Sequence, residues 1–258
     1  MQPADDLRSS VSRAFAVLDT FDSAHRRQKL SAVARRCGLP LTTVHRMVGE
    51  LVAQGALTRT PDGSYEIGSK VWNLGILASL HADLREIALP YMEDIYQVAN
   101  AAVQIAVLDG IRCLIVERIA GSRTLEVVSK PGARLPLHAT GVGKVLLAFG
   151  GDELQDAALK NLDSYTPKTI TKQSEIESQL DAIRQRGYSV SSEELTLGAA
   201  SIAVPIRGRG NRVIAALGIV APVKSMDSAQ MVSVLRITSQ ALSGKLVGFG
   251  LGDSLPIR

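Results

Sequence analysis

Within the five residues Thr42-Thr43-Val44-His45-Arg46, two hydroxyls, an imidazole and a guanidinium follow one another closely. These groups hydrogen-bond to base edges and to phosphate oxygens, and they are short or donor-rich enough to work inside a groove. They need a rigid element to carry them there. From Leu41 to Gln54 the apolar residues Val44, Met47, Val48, Leu51 and Val52 recur at helical spacing, with Gly55 as the stop. That stripe leaves Thr42, Thr43, His45, Arg46 and Gly49 on the opposite face of the first turns. Upstream, Leu30 to Cys37 reads as a second helix, with Ser31 as N-cap and Gly38 suited to the left-handed position that ends it. Leu39 then folds back onto the apolar face. Two short helices joined by a tight glycine turn form a helix-turn-helix, whose second helix enters the major groove of double-stranded DNA.

Charge supports a nucleic-acid partner over a solvated helical hairpin. Between His25 and Arg59 stand Arg26, Arg27, Lys29, Arg35, Arg36, Arg46 and Arg59 against the single acid Glu50, a net +6. The whole chain carries only +4, so everything outside that window is net acidic. A local basic excess is what phosphate binding requires.

The 258 residues suffice for two domains of ordinary size, and 46% hydrophobic with 21% charged residues describes an ordinary globular composition. No apolar run is long enough to span a bilayer and MQPADDLRSS contains no hydrophobic signal region, so a cytoplasmic location without membrane contact is expected. Cys37 and Cys113 read as separate buried structural thiols.

Ser10 is expected to cap a supporting helix with apolar positions Val11, Phe15, Leu18 and Phe21. Arg13 lies off that stripe and is either a phosphate contact or a solvated surface residue. After the second helix, Ala56 to Thr60 and Ser64 to Ile67 flank Pro61-Asp62-Gly63, a hairpin that makes the module winged. Arg59 and Lys70 flank this wing as candidate backbone contacts. Ser69 to about Leu80 returns to helical spacing, with Val71, Trp72, Leu74, Ile76 and Leu77 apolar on more than one side. Such a helix is expected to be buried, linking domains and packing against a second protomer; Trp72 alternatively is a plain core residue.

From about Asp83 the pattern changes. Helix Leu84–Ala99 leads to strands Ala101–Leu108 and Cys113–Ile119, turned at Asp109-Gly110, then a short strand Leu125–Ser129. Helices are expected at His138–Phe149, Asp152–Leu162, Ser174–Arg186 and about Asp227–Val247. Between the last two lie strands Tyr188–Ser191, Ile202–Arg207 and Val213–Val220. Helices outside an antiparallel sheet define an α+β domain.

Five segments in order, SRAFAVLDTF, TVHRMVGEL, YEIGSKVWNLG, LPLHATGVGKVLLA and RGYSVSSEELTLGAASIAVPI followed by ALGIVAP, resemble the IclR family of bacterial transcriptional regulators over nearly the whole chain. The resemblance implies a winged helix-turn-helix (1–68), a linker helix (69–82) and a GAF-like effector-binding domain (83–250). It implies a homodimer or dimer of dimers on palindromic operators, controlled by a small-molecule effector. Arg13, Ser31, Arg59 and Lys70 would fix register on the DNA backbone, and Thr42, Thr43, His45 and Arg46 would read bases or nearby phosphates.

The resemblance also places the effector pocket between the sheet, Leu135–Val145 and Tyr188–Ala203. A helix beginning near His138 would present free backbone amides to a carboxylate. His138, Thr140 and Gly141 lie there, with Leu125, Val127, Leu135 and Leu137 as an apolar wall and Ser191, Ser192, Glu193, Ser201, Ala203, Gly218 and Val220 opposite. His138 has a second reading as a structural histidine. Members that bind small acids carry an acidic or polar residue at Ser191, a cysteine at Ser201 and serines at Gly218 and Val220. The less polar wall points to a larger carboxylate with an apolar or aromatic body, and the regulator is expected to repress catabolic genes.

Other motifs carry less. The GxGK of Gly141–Lys144 lacks the leading glycine and following hydroxyl of a phosphate loop. Arg207–Arg212 reads as an exposed basic turn. Glu193, Glu194 and Ser201 suggest an enzyme fused to the DNA-binding module, the alternative function, but no histidine lies near them and GxSxG is missing. The four histidines lack metal-ligand spacing, so neither metal nor cofactor is expected.

Overall fold

Ser9 rather than Ser10 caps the first helix: its hydroxyl accepts from the Ser12 amide at 2.9 Å, and α1 runs Ser10–Leu18. This computed structural model describes residues 9–22, 24–75, 79–121, 129–226 and 228–249, in two compact units, 1–79 and 80–258. The buried stripe of α1 is Ala14, Val17 and Leu18, continued by Phe21, while Val11 (63% exposed) and Phe15 (60%) face outward. The expected stripe is thus rotated towards Ala14 and Val17.

Helix α2 spans Leu30–Cys37, and Ser31 is not its cap. The Lys29 carbonyl takes the first helical bonds, from Ala32 and Val33 (3.0 and 3.1 Å), leaving Ser31 exposed inside the first turn. Its start is set from outside: Arg27–Gln28 form a short strand, β1, paired with the wing. Gly38 ends α2 at φ +70°. Helix α3, Leu41–Ala53, buries Val44, Met47 and Val48, with Leu51, Val52 and Leu39 packed around them. At about 1.5–3 kcal/mol for each fully buried apolar side chain, these three hold the helix in its groove.

The wing consists of β2 (Leu57–Arg59) and β3 (Tyr65–Ile67), with Leu57 opposite Ile67 and Arg59 opposite Tyr65. Asp62 closes the turn by accepting from the Thr60 and Ser64 hydroxyls (2.5 and 2.8 Å), which hold its carboxyl far below the usual carboxylate range. With β1 the sheet has the order β1-β3-β2. Helix α4, Ser69–Gly75, leaves its apolar side chains open in the single chain: Trp72 is 70% and Leu74 60% exposed, and only Val71 is half-buried, so Trp72 is not a core residue of this chain. Ile76 and Leu77 lie outside the described residues.

In the second unit, α5 (Ser79–Ala99) precedes the hairpin of β4 (Ala102–Asp109) and β5 (Arg112–Ile119), turned at Gly110. A three-residue strand, β6 (Arg134–Pro136), was not foreseen; the expected strand Leu125–Ser129 falls outside the described residues but for Ser129, which is not in a strand. Then follow α6 (Gly141–Phe149), α7 (Asp152–Leu159), α8 (Gln173–Arg186), β7 (Ser189–Ser192), β8 (Ala199–Arg207), β9 (Val213–Pro222) and α9 (Ser228–Gly248).

The six strands pair antiparallel in the order β6-β5-β4-β9-β8-β7, so two short strands edge four long ones. Alternation sorts each strand onto two faces. Val103, Ile105 and Val107 of β4 face a core with Leu84, Ala88, Met92 and Ile95 of α5 and Leu235 and Leu242 of α9. Ala106, Ile115 and Ala216 face the opposite core with Val142 and Val145 of α6 and Leu180 and Ile183 of α8. On that second face the packing thins beyond Ala106 to the small cluster Ala102, Ala199 and Val220. No helix among the described residues is long and apolar enough to cross a membrane.

Candidate functional site

In the first unit, Val44, Met47 and Val48 face inward, which turns Thr42, His45, Arg46 and Gly49 out to solvent and leaves Thr43 half-buried. Arg46 bonds Glu50 one turn on (2.7 Å), both side chains mostly exposed. Such a pair holds at most about 1 kcal/mol, so Arg46 is easily drawn away by a stronger acceptor. At the wing tip, Lys29 and Arg59 lie near Gly63, within 4 Å of where a β-carbon would stand. Lys70 is exposed and reaches Gln54, whereas Arg13 is half-buried in α1 and donates to the Ser9 carbonyl (3.3 Å). Three acids flanking the basic window fold back onto it: Asp22 pairs with Arg36, Asp62 with Lys29 and Glu66 with Arg27. They reduce the local excess from +6 to +3.

In the second unit the thinned end of the packed face borders a cavity, open to solvent at its mouth, with about 40 Å³ of accessible space. Leu135, Thr140, Ser191, Ser201 and Val220 line it, five of the residues expected in a pocket. The helix near it starts three residues later than expected. Thr140 caps α6, its hydroxyl accepting from the Gly143 amide (3.1 Å) and donating to the Pro136 carbonyl (2.9 Å). The Gly141 amide bonds Ser201 Oγ (3.2 Å), so the helix end offers fewer free amides than a bare terminus. Gly141 and Gly218 are packing positions: a β-carbon would stand 2.7 Å from Ser201 Oγ or 3.0 Å from Val142.

His138 is not in this cavity. Its Nε2 donates to the Asp163 carbonyl (3.0 Å) and its ring stacks at a tilt on Tyr165, in a separate cleft with Arg112 and Asn161. Burial holds the imidazole below its ordinary value. Leu137 and Ala203 belong to the packed core, and Ser192 is exposed. Glu193, at φ +60°, turns outward to Lys168 and accepts from the Gly198 amide (2.8 Å). Leu125 and Val127 lie outside the described residues. Cys113 is buried, which pushes its thiol up to about 11, but Cys37 is only half-buried, and both are unpaired.

Sequence reasoning missed Gln104, Ser129, Ala139, Glu194, Leu195, Thr196, Ala199 and Ala200 on the cavity wall. Gln104 had a signal, being the one polar side chain in AAVQIAVL. Glu194 had one in Lys144, the lone charge of the apolar helix α6. The ammonium reaches both Glu194 oxygens (2.6 and 2.7 Å) and Gln179 Oε1 (2.6 Å). Burial pushes Lys144 below its ordinary value and the Glu194 carboxylate pushes it back up. Among the described residues no group of three or more His, Cys, Asp or Glu is arranged to hold a metal ion.

A winged helix-turn-helix joined in one chain to a cavity-bearing antiparallel sheet defines a DNA-binding protein with a second, α+β domain. The sequence profile of the IclR helix-turn-helix domain matches residues 10–61, and that of the bacterial transcriptional regulator IclR C-terminal domain matches 77–244. The chain belongs to the IclR family of bacterial transcriptional regulators. It is 30% identical over 235 residues to the HTH-type transcriptional regulator XynR of Escherichia coli, covering 90% of this chain and 93% of that protein. The HTH-type transcriptional repressor AllR of the same organism is 27% identical, covering 92% and 90%. The crystal structure of an IclR homolog complexed with 4-hydroxybenzoate from Microbacterium hydrocarbonoxydans superposes with a TM-score of 0.87 at 33% identity, covering 93% of this chain and all of that one.

Proposed function

We propose that this DNA-binding regulator represses catabolic genes and that a small organic acid with an apolar or aromatic body, bound in the sheet cavity, controls it. The observation that carries the reading is the outward face of α3, where Thr42, His45 and Arg46 stand together beside a wing tipped by Lys29 and Arg59. Thr42, Thr43, His45 and Arg46 read the operator, while Arg13, Ser31, Arg59 and Lys70 set register on phosphates. The protein acts as a homodimer or dimer of dimers, so two α3 helices meet half-sites of a palindrome about one DNA turn apart. Exposed Trp72 and Leu74 on α4 favour that assembly, since a second protomer would cover them. The division into 1–68, 69–82 and 83–250 assigns α4 and the start of α5 to the link between reading and sensing.

The cavity supports the effector half of the reading: hydroxyls of Ser201 and Ser129 beside Leu135, Val220 and alanines match an acid with an apolar body. The liganded Microbacterium homologue supports the same class. The ligand must bind one domain arrangement better than the other, because equal affinity shifts nothing. Turnover of the ligand is disfavoured, since Ser201 accepts from Gly141, Glu194 is neutralised by Lys144, and His138 stands in another cleft.

The test is fluorescence anisotropy on DNA from upstream of the protein's own gene. Arg46→Ala is expected to weaken binding by about 1–3 kcal/mol and to relax sequence preference. Unchanged affinity with the fold intact would falsify the role of Arg46. Calorimetry against a panel of acids tests the effector: tight binding of glyoxylate or pyruvate alone would sink the larger carboxylate.

A further inference from the structure

Two polar atoms on the cavity wall have no protein partner although each side chain is only 3% exposed: Gln104 Oε1 and Ser129 Oγ. A buried polar group left unpaired costs about 1–3 kcal/mol, and folded proteins rarely carry two of them in one place without a purpose. Gln104 sits mid-sheet in β4, directly opposite Gly218 of β9, which has no side chain to answer it. Its neighbours on the same strand face, Ala102 and Ala106, are equally unable to bond, and Arg118 of β5, opposite it on the other side, does not bond the oxygen. The sheet therefore holds an amide at the cavity wall amid groups that leave it unsatisfied. Much of the remaining polar lining is already engaged: Thr140 caps α6, Ser191 donates to Ala139, Ser201 accepts from the Gly141 amide, and Glu194 is matched by Lys144.

On the reading of this cavity as the effector site, we infer that Gln104 is a specificity-determining residue that accepts a hydrogen bond from a hydroxyl group of the effector, so that the ligand is a hydroxylated compound rather than its deoxy counterpart. The carboxamide oxygen is an acceptor, and only a ligand bearing a donor satisfies it. A ligand of the same shape without that donor leaves the oxygen unpaired as before, whereas a hydroxylated one relieves it. Such a site therefore discriminates by leaving its own polar group unpaired when the wrong ligand enters.

The experiment is calorimetry on the full chain with four probes that differ in two ways: 4-hydroxybenzoate, benzoate, 4-hydroxybenzamide and benzamide. The hydroxylated member of a pair is expected to bind tenfold or more tightly than its partner, and Gln104→Leu to abolish that preference. The acid against amide comparison tests the carboxylate reading separately: amides binding as well as acids would defeat that reading and leave the hydroxyl comparison intact. Equal binding of hydroxylated and deoxy partners, no binding of any probe, or a preference that survives in Gln104→Leu overturns the inference. The variant has a second readout without ligand. Because leucine removes an unsatisfied amide at similar volume, the unliganded variant is expected to melt at or above the wild-type temperature. A clear fall would mean that the amide is a structural group, and would overturn it too.

Discussion

Lys144 and Glu194 form a buried pair whose side chains are 0% and 6% exposed, and neither is tolerable alone in that setting. Lys144→Met leaves an uncompensated buried carboxylate and is expected to cost about 3–5 kcal/mol in chemical denaturation. Changing both residues to methionine should restore most of the loss; a double variant as unstable as the single one would refute the pairing argument. His138 has a different signature. Its folded imidazole titrates below the ordinary 6.5, so on acidification below that value the unfolded chain takes up a proton first, and stability falls with pH until the folded group also protonates. Urea midpoints at pH 7.5 and 5.5 should therefore converge in His138→Gln, and an unaltered pH dependence would exclude this histidine as the source. At this scale the sequence is legible where a residue conflicts with its surroundings, as Lys144 does in GVGKVLLAF. It is silent on the partner, because Glu194 lies fifty residues on and only the fold brings it near.

The turn between α2 and α3 shows how elements inherit their geometry from single positions. Gly38 stands at φ +70° with open space around it, so Gly38→Ala introduces backbone strain without a clash. The expected cost is about 1 kcal/mol in urea unfolding, with asparagine better tolerated. A neutral alanine would show that the turn relaxes to another conformation. Helix-turn-helix, wing and main strands were legible because periodicity and turn chemistry are local. The cavity was only partly so. Ser201 and Val220 share it because β8 and β9 pair in that register, and Gly218 leaves the wall because the same register sets it under Val142. Register between strands far apart in sequence leaves no local mark. The start of α2 shows the same limit, since it is fixed by β1 joining the wing rather than by Ser31.

Across the molecule, two units with separate cores are expected to unfold in two calorimetric transitions. A saturating effector should raise only the transition of residues 80–258, and operator DNA the other, by about 2.7 kcal/mol at a hundredfold excess over Kd. A single transition that both ligands shift alike would contradict independent cores. Binding to DNA should weaken steeply with salt, and Arg59→Gln should lower the slope by about one for each phosphate the side chain no longer neutralises. The order of the large sheet has a further consequence at the concentrations of a crowded cell. Its outer strands, β6 and β7, have three and four residues, whereas the strands between them have eight to ten. A stray chain seeking to add itself along either outer strand meets a template of only three or four residues. The outer strands themselves thus give edge-to-edge polymerisation little to build on.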